Sequence, residues 1–270
     1  MYYKFMEKVL TDFFLYNFKI FFLIFVRITS LFFTAPFFSS EDLPLQIRTG
    51  IAFFTAIIIF PVVNGSLDLT PDVNSIAYVI NIINQIIIGI IIGLTAQIFY
   101  LIFQVSGQFY TIQIGFGMIN TMDPLSQTEI AILGTFQGII GMIVFLYISG
   151  HHFLIYAITK SFAYFPLFSF NLSGFTIEML TVAVTKMFYL GFMFAIPLIG
   201  IIFIMTMILG LLAKIAPQMN LLMLSFPLNI LVGLATLLII QALLLESSKE
   251  IFYYMMDYIN QFLNYAKARA

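Results

Sequence analysis

Long apolar runs alternate along the chain with short polar or Pro/Gly-containing breaks. Charge-free or nearly charge-free stretches occupy residues 18–38, 77–103, 130–148, 187–213 and 221–245, and a shorter one covers 50–63. A helix needs roughly 20 mostly apolar residues to cross a bilayer. The first five stretches reach that order of length; the sixth reaches it only with its flanks and holds Pro61. Nothing shows the alternation of a membrane barrel, and a backbone in lipid must satisfy its polar groups internally. The pattern predicts an all-α, polytopic integral membrane protein of about six long hydrophobic helices or helical hairpins broken by Pro and Gly, in one membrane-embedded domain over 1–270.

Three segments depart from plain lipid-facing helices. Lys19 and Arg27 lie inside the first apolar run. A cation at membrane depth is unfavourable by a few kcal/mol and faces a partner, a cavity or the interface; Lys19 is near enough to an end to snorkel, whereas Arg27 is deeper and should meet protein or water. Residues 104–122 mix Gln104, Ser106, Gln108, Thr111 and Gln113 with aromatics and with Gly107, Gly115 and Gly117, and Asp123-Pro124 closes the stretch with a turn signal. Two readings stand: an interfacial loop, or a segment packed against protein or a water-filled path. The tail, 246–270, carries Lys249, Glu250, Asp257, Lys267 and Arg269, with Ile251, Tyr254, Met255, Tyr258, Ile259 and Phe262 spaced three and four apart. That spacing predicts a C-terminal amphipathic helix lying on the membrane or docked on protein. Prolines beside or inside apolar runs (Pro36, Pro61, Pro166, Pro197, Pro217, Pro227) predict kinks or breaks.

Composition sharpens this picture. Hydrophobic residues make up 62% of the chain and charged ones 9%, with a mean hydropathy of +1.08. Soluble domains carry about 25% charged residues, so lipid or a protein partner must cover much of the surface. A net charge of -1 argues against nucleic acid as a partner. The absence of cysteine removes disulfides, thiol nucleophiles and Cys-ligated metals. The first 18 residues interleave Lys4 and Lys8 with Glu7 and Asp12 and show no small-residue cleavage site, so the N-terminus reads as retained. If six segments cross, Lys4, Lys8, Lys160, Lys186, Lys249, Lys267 and Arg269 share one side against Arg48 and Lys214 on the other. That places both termini in the cytoplasm.

No constellation for catalysis emerges. His151 and His152 are adjacent, so their side chains leave the backbone in different directions, and no two-His metal site at i, i+4 spacing exists. There is no phosphate-binding glycine loop or nucleophile elbow. Glu41, Asp42, Asp68, Asp72, Glu178, Glu246 and Glu250 fall in connecting or terminal segments. A proton relay at mid-membrane has no acid to use, which weighs against a secondary transporter, as does the lack of a visible internal repeat. The chain is expected to be no enzyme and to use no cofactor or metal.

Four ordered blocks carry a resemblance. Arg27, Ala35-Pro36-Phe37, Leu43-Pro44 and Arg48 resemble the N-terminal signature of the FliR family of flagellar biosynthesis proteins. Gln113-Ile114-Gly115-Phe116 followed by Asp123-Pro124 is similar to the family's central motif. Gly150-His151, Ser161 and Pro166 follow in the family's order. Ala216-Pro217-Gln218-Met219-Asn220, Phe226-Pro227-Leu228 and Gly233 then resemble its C-terminal block. The last block departs from the usual pattern at Leu222 and Ser225, where the family commonly has an aromatic and a glycine.

The resemblance implies a subunit of the type III export gate in the bacterial inner membrane, within the flagellar basal body. Co-subunits would be FliP and FliQ, with FlhB and FlhA nearby, around a channel that passes unfolded export substrates. Some hairpins would then meet neighbouring subunits and others membrane lipid. By the same resemblance, Gly115, Phe116, Gly117, Met118, Ile119, Asn120, Met122 and Asp123 form a loop that projects into the lumen and helps seal the closed pore. The alternative for the loop is a structural turn between hairpins. Structural or subunit contacts are implied for Arg27, Pro36, Pro44, Arg48, Gln113, Pro124, Pro217, Phe226 and Pro227. The injectisome counterpart shares much of the pattern and is the alternative destination; a scaffold that only nucleates assembly is another role.

Overall fold

The computed structural model describes residues 2–40, 43–64, 75–115, 132–167, 174–216, 218 and 221–267. Among these the regular elements are all helical: α1 (Tyr2–Thr34), α2 (Leu45–Asn64), α3 (Ser75–Ile114), α4 (Ile132–Tyr147), α5 (Gly150–Tyr164), α6 (Gly174–Ile215) and α7 (Leu221–Lys267). Five are long and apolar enough to cross a membrane, over Phe14–Thr34, Leu45–Val63, Ile76–Ile114, Thr176–Ile215 and Met223–Tyr265. The α4–α5 pair supplies a sixth when counted as one broken span. The protein is a polytopic, all-α membrane protein.

The elements overrun the apolar stretches that predict them. α3 does not stop at Phe103 but continues through Gln104–Gln113, so the interfacial-loop reading fails for that part. Its hydroxyls are absorbed locally: Ser106 Oγ donates to the Phe103 carbonyl at 2.8 Å and Thr111 Oγ1 to that of Gly107 at 2.9 Å. Back-bonding of this kind removes a donor from apolar surroundings, and it recurs at Thr29, Thr34, Thr95, Thr159 and Thr206. The tail is likewise no separate helix; it is the C-terminal part of α7. Ile251, Met255, Tyr258, Ile259 and Phe262 are buried there as spaced, together with Phe252 and Leu263, but Tyr254 is exposed. Pro61, Pro197 and Pro227 sit inside helices that run on through them.

The described chain packs as two compact units. Met1–Gln97, Gly150–Leu180 and Met255–Ala270 form the first. Here Phe21 and Phe25 of α1 meet Phe53 of α2 edge-on, with centroids 5.5 and 6.0 Å apart, and Phe165 lies 5.0 Å from Phe262. The edge-to-face pairs between α1 and α2 add to what area burial alone gives. Ile98–Ser149 and Thr181–Tyr254 form the second unit. Its centre is Phe103, fully buried, at 5.3 Å from Phe252 and 6.1 Å from Phe194. The Tyr110 hydroxyl donates to the Phe194 carbonyl at 2.9 Å.

Candidate functional site

Arg27 sits in the C-terminal third of α1 and is fully buried. Its guanidinium is solvated by neutral groups of the first unit. Nε donates to Gln85 Oε1 at 2.6 Å, one terminal nitrogen to Ser161 Oγ at 3.0 Å, and the other to the Phe165 carbonyl at 2.9 Å. The Phe162 ring lies 4.1 Å from the charged carbon, close enough for a cation–π contribution. Gln85 in turn donates to the Leu167 carbonyl at 2.9 Å. One cation thus ties α1, α3, α5 and the turn after α5 together. Close approach makes this reachable: a Cβ at Gly89 would collide with Ser30 Oγ and the Arg27 carbonyl, and one at Gly93 with Thr34.

The turn after α1 shows why Pro36, Pro44 and Arg48 stand where they do. Pro36 lacks the amide that would extend the α1 ladder, and Phe37 takes φ 72°, the left-handed conformation that reverses the chain. Phe38 folds back to stack on Phe32 at 4.2 Å, and Phe37 lies 6.2 Å from His151. The Pro44 carbonyl receives the amides of Ile47 and Arg48, opening α2. Arg48 then donates to the carbonyls of Ser40 and Leu43 at 2.9 and 3.4 Å and lies 5.2 Å from the Phe33 ring. Its charge fastens the turn from within the chain.

In the second unit α3 ends at a backbone feature only glycine adopts easily: Gly115 has φ 97°. Its Cα faces the Phe226 ring, from which a Cβ would stand 3.7 Å away. One residue earlier, Ile114 is fully buried and presses on Gly233, where a Cβ would come within 2.6 Å of two Ile114 side-chain carbons. Gln113 is half-buried in the same last turn, and Pro227 follows Phe226 in α7 with its surface exposed. The start of the central motif is therefore seated on the C-terminal block. Phe116, Gly117, Met118, Ile119, Asn120, Met122, Asp123, Pro124 and Pro217 lie outside the described residues.

The structure pairs the four sequence blocks two by two. Arg27 and Phe37 of the first block touch Ser161 and His151 of the third; Ile114 and Gly115 of the second touch Gly233 and Phe226 of the fourth. Other partners carry no signal of their own in the sequence. Gln85 and Phe162 read as ordinary residues of apolar helices until Arg27 reaches them. Gly134, Gly138 and Gly141, spaced on one face of α4, form a seam against α3: a Cβ at Gly107 would strike the Gly134 backbone, and one at Gly141 would come within 2.6 Å of the Phe103 ring. That spacing is legible as a small-residue helix-packing face. His151 and His152, adjacent in α5, have ring centroids 4.1 Å apart. No group of three or more His, Cys, Asp or Glu that could hold a metal is assembled among the described residues.

Comparison with known proteins agrees with the blocks. Residues 18–255 match the family described as bacterial export proteins, family 1. The flagellar biosynthetic protein FliR of Bacillus subtilis (strain 168) is 27% identical over 241 residues, covering 87% of this chain and 91% of its own. That of Escherichia coli (strain K12) is 27% identical over 84% of this chain and 86% of its own. That of Buchnera aphidicola subsp. Baizongia pistaciae (strain Bp) is 30% identical, again over 84% and 86%. With a family match over most of its length, the chain belongs to the bacterial export proteins of family 1, as a FliR-family flagellar biosynthetic protein.

Proposed function

We propose that this membrane component of the flagellar export apparatus is a non-enzymatic subunit of a protein-conducting gate in the inner membrane. FliP and FliQ are its co-subunits, FlhA and FlhB its neighbours, and unfolded flagellar proteins its cargo. The loop 115–123 restricts leakage while the gate is closed.

The observation that carries the sealing role is the anchoring of the loop's first residues. A plug needs a fixed base and a soft tip. Ile114 locked over Gly233, with Gly115 turning beneath Phe226, supplies the base. Phe116, Met118, Ile119 and Met122 supply apolar bulk in sequence, and methionine adapts its shape to irregular contacts. Helix length supports a multi-subunit setting. α3, α6 and α7 have 40, 42 and 47 residues, or about 60, 63 and 70 Å at 1.5 Å per residue, against a hydrocarbon core of about 30 Å. Large apolar side chains are exposed from Ile76 to Ile112 in α3 and from Ile177 to Ile215 in α6. One bilayer cannot cover that length, so neighbouring subunits cover the remainder.

Removing residues 117–122 from the chain in cells that make the whole apparatus tests the reading. The shortened chain is expected to co-purify with its partners in normal amount while ion or small-solute leak across the membrane rises. Normal permeability in the assembled apparatus contradicts the sealing role.

A further inference from the structure

Gln137 is the oddest side chain of the second unit. It is fully buried in α4, and neither its amide nitrogen nor its amide oxygen has a hydrogen-bond partner. Such a group loses its water and gains nothing in return, a loss that native structures rarely leave unexplained. Its position supplies the explanation. Gln137 shares one face of α4 with Gly134, Gly138 and Gly141, all buried, and this face rides on Tyr100, Phe103, Gln104 and Gly107 of α3. A glycine face has few knobs to lock a register. Beside it the seam is polar: a Cβ at Gly138 would be 3.2 Å from the Tyr100 hydroxyl and 3.5 Å from the Gln104 amide nitrogen, and these two side chains are within bonding range of each other. α4 ends at a turn in which Ser149 takes the left-handed φ of 60°. Its other end follows the segment that begins at Gly115.

We infer that α4 has a second register on α3, reached by sliding along the glycine seam, in which the Gln137 amide pairs with Tyr100 and Gln104. The unpaired amide destabilises the register seen here and so biases α4 towards moving. Packing around a buried, unsatisfied group is the kind of element that holds two discrete arrangements rather than deforming smoothly. This inference rests on the gate reading for its consequence: α4 follows the loop 115–123 in the chain, and the second register accompanies export.

The test is Gln137→Leu, with Gln137→Asn beside it, in cells carrying the complete apparatus. Leucine fills a similar volume without polar atoms, so it stabilises the register seen here and offers nothing to Tyr100 and Gln104. It is expected to assemble as wild type, to leave permeability of the resting membrane unchanged, and to lower export of flagellar substrates about 5-fold or more, the range of one unsatisfied buried amide. Asparagine keeps the amide and should retain more export than leucine. Wild-type export from assembled Gln137→Leu overturns the inference and marks the amide as merely hydrated. Loss of assembly in Gln137→Leu also overturns it, since that variant removes only groups that pair with nothing in this register. Neither result bears on the loop deletion, whose readout is leak; that deletion tests the sealing role whether or not α4 moves.

Discussion

Arg27 holds three acceptors and an aromatic ring with one planar guanidinium, and none of the partners bears a negative charge. The cluster therefore depends on geometry rather than on ion pairing. Lysine keeps the charge but has neither the fork of donors nor the flat face, so Arg27→Lys is expected to lower the thermal stability of the detergent-purified protein. Gln85→Leu removes the Nε acceptor and leaves the cation less well solvated; hydrogen bonds to charged groups contribute about 1.5–3 kcal/mol, and the loss should fall in that range. A melting curve unchanged by Gln85→Leu contradicts this account of the cluster. Arg27 was legible in the sequence as a cation too deep to be indifferent, and so was its meeting with protein or water. Its partners were not: Gln85 and Ser161 stand 58 and 134 positions away, a separation that no local pattern of hydrophobicity encodes.

At the scale of elements, hydropathy located the apolar centres of the helices but not their ends. It under-reads α3 because Gln104, Gln108 and Gln113 lower the local hydropathy, although tertiary packing holds that stretch helical and buries Phe103, Ser106 and Tyr110 fully. It under-reads α7 for the same reason, since charges beyond Leu245 mark a change of surroundings rather than a change of structure. The glycines divide by what they touch. Gly107 admits no side chain without pushing α3 and α4 apart, whereas Gly200 and Gly210 in α6 have nothing within 4 Å of an added Cβ. Gly107→Leu is thus expected to destabilise the purified protein by about 1–3 kcal/mol, the scale of overpacking, while Gly210→Ala should be neutral or stabilising by up to about 1 kcal/mol through helix propensity. Equal thermal shifts for the two variants contradict the seam. Gly115→Ala faces a different obstacle. Its neighbour Phe226 leaves room for a methyl group, but a left-handed φ disfavours any L side chain by about 1–2 kcal/mol. This substitution should raise resting leak in the assembled apparatus by displacing the loop's base, with assembly retained.

For the whole molecule, the ordered blocks in the sequence already pointed to the family, and the fold shows what the blocks do. They are not four separate signatures but two pairs of contacts, one closing each compact unit. Membrane residence, helical class and family follow from the chain itself and its relatives. The glycine spacing of the interior seam is readable in the sequence, but the unpaired amide of Gln137 is not, because a glutamine in an apolar run looks the same whether it is paired or not. The central claim, that this chain lines a protein-conducting path through the loop that starts at Gly115, is tested most directly by site-specific photocrosslinking. A photoreactive residue at Met118 is compared with one at Ile58, a side chain of α2 that is 72% exposed, while an export substrate is stalled in transit. The account predicts a crosslink to the substrate from position 118 and none from position 58; a stalled substrate that escapes crosslinking at 118 in a fully assembled apparatus would contradict it.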